Sequence, residues 1–130
     1  MIIISQPKLE VRENEVLVSS CIEDDKKHFR ETIFYKTSAT YRPYVVTEKA
    51  DLFVLSALMP ALFSQSDIRV EGTLSSDLKY ALENGLIYIL AKTYGVRPIK
   101  VHAERIETFE FGGKAVGAGC SMGVDSLATI

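Results

Sequence analysis

The sequence predicts an α+β domain over residues 1–113, built as an antiparallel-rich sheet with two main helices. Residues 114–130 then read as the first strand, loop and helix turn of an α/β unit. Three observations carry this. The first forty residues alternate in short runs broken by a charged turn, as in a β-meander. Two later stretches, near 50–64 and 76–94, have the apolar content or spacing of helices. Small residues gather at the end, where Ala115-Val116-Gly117-Ala118-Gly119-Cys120-Ser121-Met122-Gly123-Val124-Asp125-Ser126 has the texture of a strand, a tight turn and a helix N-terminus. Amides at such a junction converge on one point and suit an anion.

In chain order, residues 8–12 (Lys-Leu-Glu-Val-Arg) and 16–22 (Val-Leu-Val-Ser-Ser-Cys-Ile) predict two strands around a turn at Glu13-Asn14-Glu15. The cluster Glu23-Asp24-Asp25-Lys26-Lys27 predicts an exposed, solvated turn, and residues 29–40 predict a third strand in a sheet wet on one side. Tyr41-Arg42-Pro43-Tyr44 is a bend, with Arg42 pushed toward an extended conformation by Pro43. Its tyrosines cover a core edge more readily than they stack on a ligand. Residues 50–64 are apolar nearly all round and predict a helix buried on several sides, with Pro60 kinking it or starting a second one. Asp67 to Glu71 is a short strand closed by Gly72.

The second helix has cap oxygens at Ser75, Ser76 and Asp77 and a stripe of Leu78, Ala81, Leu82, Gly85, Leu86, Ile89, Leu90 and Thr93. Gly95 stops it and Pro98 cannot continue it. Gly85 costs about 1 kcal/mol relative to Ala, which predicts close approach of a neighbouring element. Tyr80, Tyr88 and Tyr94 are assigned to packing rather than a cofactor cage. Residues 99–106 alternate as a strand that puts His102 on its polar face, as a surface histidine. Phe109-Glu110-Phe111-Gly112-Gly113-Lys114 is a linker or hairpin and the candidate domain boundary.

Composition narrows the function. The 130 residues are 47% hydrophobic and 25% charged, with a formal net charge of −2 and a pI near 5.7. That is the composition of an ordinary globular protein, and no global basic field favours nucleic acid or an anionic membrane. The apolar run 52–63 is interrupted by Ser56 and Pro60 and is too short to span a bilayer. The Met-Ile-Ile-Ile start lacks a basic n-region, so no signal peptide is expected. Two cysteines, Cys21 and Cys120, make no disulfide framework, and with two scattered histidines they offer no metal-ligand spacing. A cytoplasmic location is the expectation.

Two motifs overlap in the terminal turn. Gly119-Cys120-Ser121-Met122-Gly123 fits the Gly-x-Ser-x-Gly elbow, which would make Ser121 the nucleophile of an α/β-hydrolase. Ser121-Met122-Gly123-Val124-Asp125-Ser126 instead resembles the Ser-Gly-Gly-x-Asp-Ser loop of the PP-loop ATP pyrophosphatases. Asp125-Ser126 fits the second motif and is not needed by the first. No helical stripe precedes the strand and no His-Gly pair lies upstream, as an elbow would want. Met122 stands where the loop has its first glycine, where a side chain crowds the phosphates.

The PP-loop resemblance implies that Ser121, Gly123 and Ser126 grip the pyrophosphate of ATP and that Asp125 orders the loop or lies near Mg2+. It implies the N-terminal part of an ATP-dependent adenylating ligase or transferase that splits ATP into AMP and pyrophosphate. The chain alone would be inactive, and the acceptor substrate is left open. A non-enzymatic interaction or dimerisation module, with the sheet and helices as a homodimer or partner surface, is the alternative from another class. The truncated α/β-hydrolase is the second.

Overall fold

A computed structural model describes residues 1–110, and the fold it gives is organised around a strand that lacks any alternation in sequence. β1 (Ile2–Ser5) is a short apolar run, paired antiparallel to β3 (Glu15–Asp24) and parallel to β5 (Ile68–Ser75). β2 (Lys8–Val11) continues along the same side of β3 after a break at Gln6-Pro7, where Pro7 has no amide to donate. β4 (Phe29–Ser38) pairs antiparallel with β3 along its whole length, and β6 (Val101–Glu107) pairs parallel with β5. The six-stranded sheet therefore runs β4-β3-β1-β5-β6 across, with β2 extending the line of β1.

The predicted meander is present, with its middle strand β3 extended at both ends and its last strand ending at Ser38. β3 runs on to Asp24, which is 5% exposed and accepts a hydrogen bond from the Lys26 amide at 3.0 Å. The charged cluster is thus half strand, and only residues 25–28 turn. The expected extended bend at Tyr41-Arg42-Pro43-Tyr44 is instead a 3-10 helix, Ala39–Tyr44. The Ser38 hydroxyl accepts from the Thr40 amide at 3.4 Å at its start, and Ala39 N donates to Asn14 O at 2.9 Å.

Helix α1 (Asp51–Ser64) runs through Pro60 as one element, so Pro60 does not start a second helix. Nor is α1 buried on several sides. Phe53, Val54, Ala57, Leu58, Ala61 and Leu62 face the sheet, while Leu52, Leu55 and Phe63 remain exposed. Gln65 ends the helix in a left-handed conformation, its side-chain amide donating to Leu62 O at 2.8 Å and to Arg97 O at 3.1 Å.

β5 does not stop at Gly72. It passes through an irregularity between Val70 and Thr73, where Gly72 has φ 152°. The Gln6 side chain fills the space a Cβ would need, its Oε1 accepting from Thr73 N at 3.0 Å. Ser75 then caps the next helix, accepting from Leu78 N at 3.3 Å.

The predicted second helix is three pieces: α2 (Ser76–Ala81), a π-helical turn at Leu82–Leu86, and α3 (Ile87–Tyr94), stopped at Gly95 with φ 66°. The wider turn inserts one residue into the 3.6 period and rotates the buried face. Leu82, Ile87 and Ala91 are buried, whereas Ile89, placed on the stripe by spacing, is 62% exposed. Gly85 sits in that turn with nothing within 4 Å of a would-be Cβ, so its expected close contact is absent. Tyr80 and Tyr88 are exposed, and Tyr94 makes an edge-on contact with Phe63 at 5.2 Å.

A single core cluster joins α1, the π turn, α3 and one face of the sheet, including Ile4, Phe53, Ile68, Leu74, Leu82 and Val101. α1, the π turn and α3 therefore lie on one face, each such buried side chain contributing about 1.5–3 kcal/mol of transfer free energy. The other face carries Glu23, Arg30, Lys36, Arg69 and His102, so the expectation of a sheet wet on one side holds, with His102 exposed as predicted. The mixed α+β class is thus as predicted. No helix among the described residues is long and apolar enough to cross a membrane.

Candidate interaction surface

Helix cover on the sheet is lopsided. α1 packs on β1 and β5, and α2 on β5 and β6, while among the described residues β3 and β4 are met chiefly by the short 3-10 helix 39–44. The main link from α1 to β4 is Tyr35. Its hydroxyl lies 2.6 Å from that of Ser56, which itself donates to Leu52 O at 2.7 Å, so Tyr35 is the donor. The Tyr35 ring meets Phe53 edge-on at 5.8 Å.

Two clefts open on either side of this bridge. One, of about 440 Å³, has a floor of Val16, Val18 and Leu52 and walls of Thr37, Tyr44 and Lys49. The other, of about 310 Å³, is lined by Ile22, Phe29, Ile33, Ala57 and Pro60, with Asp24 and Lys27 among its polar groups. Polar groups at the first cleft are well engaged. Asp51 accepts from Ser75 N at 2.9 Å and Ser75 Oγ at 2.5 Å, and lies 3.4 Å from Lys49 Nζ. Lys49 is 12% exposed and also stands 4.8 Å above the Phe109 ring. This network fixes the start of α1 against the start of α2.

β4 itself is the second component. It is ten residues long, pairs in unbroken register with β3, and pairs with no other strand among the described residues. Ile33, Phe34 and Tyr35 are apolar in succession, so apolar side chains point to both faces of an edge strand, and Phe34 is 58% exposed on the helix-free face. Around them, Lys36 pairs with Glu15 at 2.8 Å and Arg30 lies 3.9 Å from Glu23. The Arg30 guanidinium also donates to Cys21 Sγ at 3.3 Å, a hydrogen bond that raises its pKa above the ordinary value.

The sequence motifs fall elsewhere. Ser121, Gly123, Asp125 and Ser126, with the elbow serine reading, Cys120 and Met122, lie outside the described residues, as does the proposed boundary at Gly113. ATP and Mg2+ as cofactors, and adenylation as a reaction, rest on those positions. Tyr41 and Tyr44 are exposed rather than packed on a core edge, and Tyr44 borders the larger cleft. Among the described residues, no group of three or more His, Cys, Asp or Glu is placed to hold a metal ion. The edge residues of β4 were missed, although three successive apolar residues, Ile33-Phe34-Tyr35, following the polar run Arg30-Glu31-Thr32 were the available signal.

Comparison with known proteins overturns the family resemblance. No family model and no curated protein matches the chain. Among solved structures it is similar to a Fowlpox virus resolvase crystallised with its substrate Holliday junction DNA. The likeness has 16% identity and a TM-score of 0.24, and covers 88% of this chain and 66% of that one. That neighbour is a resolvase rather than a PP-loop ATP pyrophosphatase, so the PP-loop identification and its ATP-binding, ligase and transferase description are withdrawn. Similarity this slight transfers neither the resolvase's fold nor its DNA to this chain.

Proposed function

We propose that residues 1–110 form an interaction module that joins two copies of this chain through the open β3–β4 side of the sheet. The observation that carries the reading is β4: a long, bulge-free edge strand with apolar side chains on both faces. Natural edges are blunted by shortness, proline, bulges or charge, because an open row of amides and carbonyls recruits another strand. β4 has no proline and no register shift, and its centre is Ile33-Phe34-Tyr35. Pairing with a second strand would satisfy the backbone groups on its outer edge and cover those rings. The exposed Leu52, Leu55 and Phe63 of α1 add apolar surface on the same helix-bearing side of the sheet.

Sedimentation velocity on the full chain tests this. The weight-average mass should rise from one chain to two with concentration and stop there. A mass of one chain at the highest soluble concentration would sink the proposal. Open-ended growth would point to aggregation rather than a built interface.

A further inference from the structure

We infer that the two copies pair β4 against β4, antiparallel, about a two-fold axis passing through Phe34. This rests on the dimer reading above and specifies its geometry. A two-fold that joins two antiparallel edges stands perpendicular to the sheet and keeps the helix face beside the helix face. Side chains directly opposite across an antiparallel pair share a face, so the axis must fall on a residue rather than between two.

Few registers use most of the strand. Centring on Ile33 puts Arg30 directly opposite Lys36, and symmetry repeats the clash. Centring on Thr32 or Tyr35 shortens the ladder to residues 29–35 or 32–38. Centring on Phe34 keeps residues 30–38 in the ladder and puts no like charges opposite each other. Phe34 then meets Phe34 on the helix-free face, Ile33 meets Tyr35 on the helix face, Thr32 faces Lys36, Glu31 faces Thr37, and Arg30 faces Ser38. Arg30 and Lys36 become diagonal neighbours, each with a carboxylate of its own chain nearby at Glu23 and Glu15.

The register also completes the larger cleft. Tyr35 and Thr37 line it, and the residues brought opposite them are the second copy's Ile33 and Glu31. Each copy thus supplies an isoleucine and a carboxylate to the mouth of the other's cleft. The cleft is a two-chain feature in the assembled dimer, with its open edge closed by the neighbouring strand.

Disulfide trapping tests the register. In the full chain with Cys21→Ser and Cys120→Ser, Phe34→Cys places two thiols on the axis, at the about 4.5–5.5 Å Cα separation of opposed residues. Ile33→Cys places them on the diagonal, at about 7–8 Å, at or beyond the limit for a disulfide. Mild oxidation should cross-link the Phe34→Cys protein into dimers and leave the Ile33→Cys protein uncross-linked. The reverse pattern, or equal cross-linking of both, would overturn this register while leaving a dimer. No cross-linking of either, in a protein that still sediments as a dimer, would overturn the axis at Phe34, since only an axis elsewhere on β4 or an interface without β4 leaves both thiols apart. A monomer throughout would be the failure of the dimer reading itself. As a second readout, Phe34→Lys and Phe34→Glu should each lose self-association and regain it when mixed. A Phe34→Lys protein that still dimerises alone contradicts an axis at that residue.

Discussion

The two edges of the sheet differ in how they meet solvent. β6 is seven residues long, lies beside a helix-covered strand, and presents Glu104, Arg105 and Glu107 along its length. β4 is ten residues long, meets α1 through Tyr35 and otherwise lies under only the short 3-10 helix, and concentrates its apolar residues at its middle. Both strands carry charges of both signs, but on β6 they crowd into residues 104–107, whereas on β4 Arg30, Glu31 and Lys36 flank a middle that is neutral from Thr32 to Tyr35. Both edges belong to one cooperative sheet, so their difference is unlike a difference in folding quality. It separates an edge finished within the chain from one whose apolar side chains still lack cover among the described residues.

The largest expected effect sets the scale of that contrast. Ile68 is fully buried between β1 and β6 and belongs to the main core. Ile68→Ala should cost about 2–5 kcal/mol in denaturant unfolding, from lost transfer free energy and the cavity left behind. Phe34→Ala removes a larger side chain from the open edge, yet should change the stability of the dilute monomer by no more than about 0.5 kcal/mol while weakening association. If Phe34→Ala costs as much as Ile68→Ala at concentrations where no dimer forms, β4 is covered within its own chain and the comparison collapses.

A smaller effect should follow at Gly72, on the finished side of the sheet. Its φ of 152° lies where L residues strain, and the Gln6 amide occupies the space of a Cβ. Gly72→Ala should cost about 1–3 kcal/mol. Gln6→Ala loses the hydrogen bonds to Thr73 N and Thr47 O, at 3.0 and 2.7 Å, but makes room. The double variant should therefore lose less stability than the two single changes added together. Simple additivity would show that Gln6 and Gly72 do not compete for one space, and that the irregularity in β5 has another origin.

Sequence pattern exposed the strands that face water and concealed those that do not. β2, β3 and β4 were legible because strand-favouring residues in short runs are set off by charged turns, and in β3 alternate residues are also buried. β1 was not, because Ile2-Ile3-Ile4 in the middle of the sheet shows no alternation and is only a short apolar run. That omission hid the parallel half of the sheet. The π turn is similarly silent: spacing assumes one helical period, and the inserted residue carried the true buried face from Ile89 to Ile87 and Ala91. For the candidate site, the terminal turn drew notice through its unusual composition, while β4 used ordinary strand residues. What makes β4 distinctive is that it has a strand on one side only among the described residues, which depends on strand order rather than on local sequence.

The smallest effect concerns the hairpin end of the β3–β4 side. Asp25 is bonded to the Met1 ammonium, and that hydrogen bond, with the nearby charges, holds its carboxyl below the ordinary aspartate value. A carboxyl depressed by folding contributes stability above its unfolded value and loses it as pH falls through the lower folded one. Both partners are substantially exposed, so solvent screens the pair and its contribution is small. Asp25→Asn should therefore slightly flatten the loss of stability with acid in that window, leaving melting near neutral pH almost unchanged. The same substitution should leave disulfide trapping at Phe34 intact, because Asp25 precedes β4 and lies outside the 30–38 ladder. Loss of trapping in Asp25→Asn would mean that the tie between Met1 and the β3–β4 turn helps hold the edge strand in its pairing geometry, making the open edge depend on the covered strand β1 to which Met1 leads.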